Sequence, residues 1–297
     1  MASLRELRRK VKSVRSTQQI TKAMKMVAAA RLRKAQIRIL GARPFADKMR
    51  QTLADILWEV LDPHNLDAGK TNDFQHPLLT GTPGGPRGLV LVTADRGLCG
   101  SFNTNVIKRG LEFLRENQGR PLTLFFVGRK GRDFFRKFEV QERHEYVGIF
   151  GSLRYAQAEM ISQDVIEFFN NQHAEDVTMI YTEFKSAIQQ NVVTVPLLPL
   201  RPPPRPVGHS GVSSFIYEPD RTRLLSALFL RDLKSDVYRA LLESYASEVG
   251  ARMTAMENAS SNARELIERL TLTANKIRQA AITKEISELV GGAEALQ

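Results

Sequence analysis

The residues with the most chemical potential fall in one short stretch, Asp95-Arg96-Gly97-Leu98-Cys99-Gly100-Ser101, where an apolar run hands over to a helical pattern. Glycines at such a strand-to-helix turn let the backbone approach a ligand closely. Free amides at a helix N-terminus hold phosphate or lower a thiol pKa. A nucleophilic Cys99 or a phosphate-binding loop is the chemistry that this arrangement would support. Three features argue against it. The stretch lacks the Gly-Lys-Ser/Thr ending of a phosphate loop, it lacks the spacing of the dinucleotide fingerprint, and no histidine lies near it in sequence. A small residue packed in a tight turn is the better reading of Cys99. The five histidines (His64, His76, His144, His173 and His209) are scattered and make no metal-ligand spacing. No catalytic, cofactor-binding or metal-binding residue is therefore assigned, and no cofactor is expected.

The elements around this turn alternate in type. Gly88–Thr93 reads as a buried strand, followed by a helix from about Asn103 to Glu116. Leu122–Val127 reads as a second strand, before a helix around Arg132–Phe138. A further helix over Arg154–Asn171 precedes a strand at Val177–Tyr181, and Asn191–Leu197 is a final strand. Alternating strands and helices predict a small α/β layer with a mainly parallel sheet.

Long helical patterns flank this layer. From Arg221 to Val290 there is no proline and only one glycine, Gly250. Small or apolar residues recur there on steps of four and three: Leu242, Ala246, Val249, Met253, Met256, Ser260, Ala263, Ile267, Leu270, Ala274, Ile277 and Ala281. That is the seam of a coiled coil, and about 70 helical residues at ~1.5 Å each would make a rod of roughly 100 Å. At the other end, Ser3 and Glu6 have capping-box spacing. Leu4, Leu7, Val11 and Val14 set a heptad seam that Ala28, Leu32, Ala35 and Ile39 resume on the same count. Gln18, Thr21 and Lys25 occupy the seam between them, while Ile20, Met24 and Val27 put apolar surface on a neighbouring face. This interruption predicts that the helix touches a third body as well as its partner helix. The pattern continues past Gly41 and Pro44 through Phe45, Met49, Leu53, Ile56 and Leu57.

Charge is equally localised. Residues 1–38 hold twelve basic residues and one acid, Glu6, which accounts for the whole net charge of +11. Such a segment implies an acidic partner surface. No run of 18 apolar residues exists to span a membrane, and the first residues lack a secretory signal. They mimic an Arg-rich transit peptide, but a seam starting at Leu4 is too regular for a disposable leader. One cysteine fits a reducing compartment. The organisation expected is a coiled-coil helix over 1–61, a mobile loop over 62–87, an α/β domain over 88–200, a proline-rich linker over 201–220 and a second coiled-coil helix over 221–297.

Three motifs, in order, then carry a resemblance. Arg15-Ser16-Thr17-Gln18-Gln19-Ile20-Thr21-Lys22-Ala23-Met24-Lys25-Met26-Val27-Ala28-Ala29 closely resembles the start of the gamma subunit of F-type ATP synthases. Asp95-Arg96-Gly97-Leu98-Cys99-Gly100 with Phe102-Asn103 is similar to that family's mid-chain motif. Arg252-Met253, Met256, Asn262-Ala263, Glu265-Leu266-Ile267, Leu270-Thr271-Leu272, Arg278-Gln279-Ala280, Ile282-Thr283, Glu285-Ile286 and Val290-Gly291-Gly292-Ala293 are similar to its C-terminal signature. Departures are modest: Ser101 stands where a second glycine is common, and Thr273–Ile277 replaces a Tyr-Asn-Arg-type stretch. The cysteine pair of the light-regulated chloroplast form is absent.

The resemblance implies an α/β fold with a long antiparallel coiled coil of the N- and C-terminal helices and a small Rossmann-like domain. It implies a non-catalytic rotor shaft that couples ion flow to ATP synthesis or hydrolysis. The partners implied are a ring of three alpha and three beta subunits, the epsilon subunit and the membrane c-ring, with no nucleic acid and no direct membrane insertion. The location implied is peripheral, on the cytoplasmic side of a bacterial inner membrane. By similarity, Lys22, Met24 and Lys25 face acidic loops of a beta subunit, Arg278, Gln279 and Thr283 make polar contacts higher on the shaft, and Ile286, Leu289, Val290 and Leu296 turn in an apolar bearing. Two rivals remain: a basic coiled-coil nucleic-acid-binding protein, whose affinity would fall steeply with salt, and a cysteine enzyme.

Overall fold

The computed structural model describes residues 3–61, 76–138, 140, 142–201, 218 and 221–294. Residues 62–75 of the expected loop, most of the expected linker over 201–220, and Leu296 lie outside the described residues.

The chain start is capped reciprocally. The Glu6 amide donates to Ser3 Oγ at 3.2 Å, and the Ser3 amide donates to Glu6 Oε2 at 2.9 Å. Two donors that a helix start leaves open are thereby satisfied. Helix α1 then runs Leu4–Leu61 with Pro44 inside it. A proline removes one helical hydrogen bond, yet the helix continues because Ala46, Leu53, Ala54, Ile56 and Leu57 beyond it are buried and hold it by packing. At the other end of the chain, α5 runs Arg221–Glu294.

The chain divides into two compact units, and the division cuts through both long helices. One unit holds residues 1–30 and 252–297, the other residues 31–251.

In the first unit, every expected seam position of α1 is at least partly buried, from Leu4 through Val11, Val14 and Gln18 to Ala28. The polar stretch does not open the seam. Thr21 is 9% exposed and donates its hydroxyl to the Gln18 carbonyl at 3.0 Å, and Lys25 forms an ion pair with Glu257 of α5. Burial on α5 follows the predicted seam through Met253, Met256, Ser260, Ala263, Ile267, Leu270, Ala274 and Ile277, and stops there, with Ala281 exposed. Twenty residues counted in opposite directions from Lys25 and Glu257 reach Arg5 and Ile277, so an antiparallel partner runs out at this point.

The second unit is built on a five-stranded sheet in the order β3-β2-β1-β4-β5. Strands β1 (Arg87–Val92), β2 (Leu122–Val127), β3 (Glu142–Tyr146) and β4 (Asp176–Phe184) are parallel, while β5 (Gln190–Leu198) pairs antiparallel with β4. The continuous apolar runs of β1 and β2 follow from coverage on both faces. Helices α2 (Phe102–Glu116) and α3 (Arg129–Phe135) cover one face, where Leu89, Leu91, Val106, Phe113, Leu124, Phe126, Phe135 and Ile180 form a buried cluster. Helix α4 (Tyr155–Asn171) packs on the other, with Phe168 edge-on to Phe125 at 5.7 Å. Residues 221–251 of α5 lie against β4, where Ser247 Oγ donates to the Thr182 carbonyl at 3.2 Å.

Three expectations are corrected. The helix expected over Arg132–Phe138 starts and ends three residues earlier, because Gly128, at φ 91°, releases the chain from β2 directly into it. Strand β3 was not expected at all: Glu-Arg-His-Glu-Tyr carries no apolar alternation, since it is an edge strand paired to β2 only, and its side chains are held by polar and ring contacts, with His144 stacked on Phe125 and the Tyr146 hydroxyl donating to Asp164. Residues 76–86 are firmly tied and do not behave as part of a mobile loop. Leu78 is buried, its carbonyl accepts from the Leu200 amide at 2.7 Å, and the Thr82 amide donates to the Ala174 carbonyl at 3.0 Å.

Candidate functional site

The turn after β1 is where a doubly wound sheet would place a ligand. Here three polar side chains around the turn, those of Thr93, Asp95 and Asn103, are engaged by the fold. Asp95 Oδ1 accepts from the Arg129 amide at 3.2 Å and the Gly148 amide at 3.0 Å, tying together the chain that leaves three neighbouring strands. Thr93 Oγ1 accepts from the Gly131 amide at 2.8 Å and donates to the Val127 carbonyl at 3.2 Å. Asn103 Oδ1 accepts from the Ala94 amide at 2.9 Å. The Gly128 backbone passes so close that a Cβ there would lie 2.1 Å from the Thr93 carbonyl oxygen.

Cys99 is 1% exposed and packs with Ala94, Phe102 and Ala251. Asn103 Nδ2 donates to its Sγ at 3.2 Å, and the thiol lies 3.8 Å from the Arg96 carbonyl. The expected packing role of Cys99 matches this burial. The exposed apolar member of the motif is Leu98, 65% accessible in a left-handed backbone conformation at φ 63°. Sequence reasoning missed it, because its prominence depends on a backbone angle that a leucine seldom adopts. Among the described residues no cluster of three or more His, Cys, Asp or Glu side chains could hold a metal.

The first unit offers a different kind of site. With its seam closed, it still presents apolar side chains off the seam: Ile20 is 58% exposed, Met26 60% and Val27 53%. Lys22 is exposed and Met24 half-buried. Lys25 has 42% of its side chain accessible although it pairs with Glu257. Residues 1–30 carry eight basic groups and one acid, whereas residues 252–297 carry six of each, so the positive field of this unit belongs to α1.

Beyond Ile277 all described side chains of α5 face solvent, including Arg278, Gln279 and Thr283. Ile286 is 55% exposed and Leu289 74%. The side chain of Val290 lies outside the described residues. Two more exposed apolar residues, Leu272 at 63% and Ile282 at 48%, belong to the C-terminal signature but were given no contact role in the sequence. They lie off the heptad seam, where a search for seam positions does not look.

Two terminal helices that pair with each other, with an α/β layer inserted between them in sequence, define a coiled-coil stalk protein whose outer faces await partners. Comparison with known proteins narrows the class. A family model described as ATP synthase matches residues 3–296. The ATP synthase gamma chain of Desulfitobacterium hafniense is 44% identical over the full length of both chains. That of Anaeromyxobacter sp. (strain Fw109-5) is 45% identical, again over the full length of both. A chain of the Tetrahymena thermophila mitochondrial ATP synthase central stalk and c-ring superposes with TM-score 0.61 at 28% identity, covering 81% of this chain and 99% of its own. A chain of the Euglena gracilis mitochondrial ATP synthase, with TM-score 0.64, 20% identity and coverage of 99% and 94%, shares the fold.

The chain belongs to the ATP synthase gamma-chain family. Its role is that of the gamma subunit, the rotor of the central stalk, and the nucleic-acid-binding alternative finds no support among these matches.

Proposed function

We propose that the rotor acts without catalytic groups of its own, by pressing different off-seam faces of the first unit on the subunits around it. The carrying observation is a seam closed along all of α1 in that unit while Ile20, Met26 and Val27 stay more than half exposed. Apolar surface of this kind on a helix already paired is normally covered by a further body. A shaft shifts a neighbour's conformational equilibrium only by contacting its states unequally. Charge confined to α1 supplies that inequality.

In this reading Lys22, Met24 and Lys25 meet acidic loops of one beta subunit at a time. Arg278, Gln279 and Thr283 make polar contacts within the alpha–beta ring, and Ile286, Leu289, Val290 and Leu296 run in an apolar bearing. The assemblies containing the matched solved chains, a central stalk with c-ring and a catalytic sector with c-ring, support a c-ring and an alpha–beta ring as neighbours. Epsilon completes the set by resemblance. No helix of the described residues is long and apolar enough to cross a membrane. The gamma chains of bacteria that it matches support a peripheral position on the cytoplasmic side of a bacterial inner membrane.

Co-assembly is the test. The purified chain is expected to hydrolyse no ATP alone and to form, with cognate alpha and beta subunits, a stable complex with high ATPase activity. Failure to co-assemble, with binding to duplex DNA at moderate salt, would refute the reading.

The catalytic rival is tested at Cys99. Burying a hydroxyl in place of the thiol costs on the order of 1–3 kcal/mol of stability. Cys99→Ser is therefore expected to melt a few degrees lower yet to turn over ATP within about twofold of wild type once assembled. Loss of all activity with assembly intact would restore Cys99 as a nucleophile.

A further inference from the structure

Burial along α5 changes character inside the 31–251 unit. Around Leu225, Phe229 and Leu233 the helix buries one face, with Ala227, Leu230 and Arg231 exposed on the other. From Ala240 to Gly250 no residue is exposed, and all but the half-buried Tyr245 are buried. This stretch, about three turns long, is not a plain apolar plug, because Glu243, Ser244, Ser247 and Glu248 are among its buried residues. A helix buried all round has neighbours on every side.

Those neighbours come from separate parts of the chain. Ser247 Oγ donates to the Thr182 carbonyl of β4 at 3.2 Å. Gly250 runs past the β4–β5 hairpin, where a Cβ would lie 3.4 Å from Ala187 Cα. Ala251 packs against Ala94, Cys99 and Phe102, which lead from β1 into α2. The Tyr245 ring lies parallel to that of Phe150, in the chain after β3, with centroids 6.0 Å apart and planes at 7°. The loops are braced in turn. Asp95 Oδ1 holds the Gly148 amide, two residues before Phe150. In the hairpin, Ser186 Oγ accepts from the Gln189 amide at 3.0 Å, and Gln190 Nε2 donates to the Ala187 carbonyl at 2.8 Å.

We propose that these loops, at the C-terminal end of the parallel strands, are a collar that grips α5 over Ala240–Ala251 and stops it turning or sliding in the α/β layer. Tyr245 and Ser247 are then positioning residues for the rotor. The proposal rests on the rotor role, because only a shaft under load needs such a grip. Burial of apolar surface is non-directional and lets a helix roll on a sheet at little cost. A hydrogen bond has a preferred direction, and close-packed neighbours on all sides leave no open face to roll towards. The Asp95 knot gains a purpose in this scheme. It keeps the loops of the collar stiff, so that turning force passes between the sheet and α5 without slip.

The test measures ions pumped per ATP hydrolysed by reconstituted complexes working against an increasing ion gradient. Tyr245→Leu with Ser247→Ala removes the ring stack and the directed bond while keeping the helix apolar there. This loosened variant is expected to assemble and hydrolyse ATP like wild type, yet to pump about twofold or more fewer ions per ATP at the steepest gradient. Ala187→Cys with Gly250→Cys, in a Cys99→Ser background, brings two thiols together for a disulfide across the collar. Oxidised, this pair is expected to couple as well as when reduced and, added to the loosened variant, to restore its pumping. Full coupling in the loosened variant overturns the collar. Uncoupling by the disulfide overturns it too, since α5 would then have to move there. If the loosened variant does not assemble, the disulfide decides alone: coupling kept on oxidation supports a fixed grip, and coupling lost refutes it. Failure of the rotor role itself would show separately, as loss of co-assembly in the wild type.

Discussion

Replacing Lys22 and Lys25 together with glutamate is expected to cut ions pumped per ATP hydrolysed to less than about half of wild type, while the complex still assembles. The two lysines have different surroundings, and that difference makes the experiment informative. Lys22 is exposed, whereas Lys25 is a seam residue that pairs with Glu257 across the coil. Reversing Lys25 sets two carboxylates against each other. A half-exposed pair of this kind is worth ~1 kcal/mol or less, so the coil survives. Part of any functional loss would nevertheless come from the coil itself. Adding Glu257→Lys rebuilds the pair in the opposite sense and cancels that part. The reading requires the triple variant to remain poorly coupled, since the charge facing the ring is still reversed. Coupling restored by Glu257→Lys would show that the lysines act only by holding the coil. Coupling unchanged in the double variant would remove them from the contact face altogether. Pumping by reconstituted vesicles, measured against ATP hydrolysed, reads all three outcomes.

What the sequence made legible follows from how strongly each element depends on its own side chains. The seams of α1 and α5 were readable because a coiled coil uses side chains at a fixed period, and the polar positions Gln18, Thr21 and Lys25 kept that period. Their apparent interruption was misleading in one respect: the seam is closed there by a threonine hydroxyl and a cross-coil ion pair. The exposed face beside it, including Ile20 and Val27, was read correctly because off-seam apolar residues cannot be buried by the same partner. Strands β1 and β2 showed themselves through unbroken apolar runs, as strands buried on two faces must. Strand β3 stayed hidden, since Glu142–Tyr146 are placed by backbone pairing with β2 and by polar and ring contacts such as His144 on Phe125 and Tyr146 with Asp164, none of which shows as apolar alternation. The ion pairs of Asp236 with Arg50 and Arg239 were equally invisible, because these are unremarkable charged residues until α1 and α5 are laid side by side.

Gly128→Ala is expected to be severely damaging to the α/β layer, lowering stability by about 3 kcal/mol or more. The residue sits at φ 91° and ψ 146°, a region essentially reserved for glycine, where other residues pay ~1–3 kcal/mol. Space adds a second penalty, because the new carbon would lie 2.1 Å from the Thr93 carbonyl oxygen and 2.7 Å from its carbon. Neither atom belongs to a side chain that could rotate away, so β1 and the start of α3 would have to separate. Gly119 supplies the control. Its φ of 86° imposes a similar conformational cost, but no atom lies within 4 Å of the position a Cβ would take. Gly119→Ala should therefore lose only the backbone contribution, ~1–2 kcal/mol. The gap between the two variants in thermal or urea unfolding measures how tightly the strand ends are closed over the Asp95 knot. A gap near zero would mean that the strand ends yield at little cost. The turn would then have room for the ligand that its glycines and amides first suggested, and its role as a purely structural knot would fall.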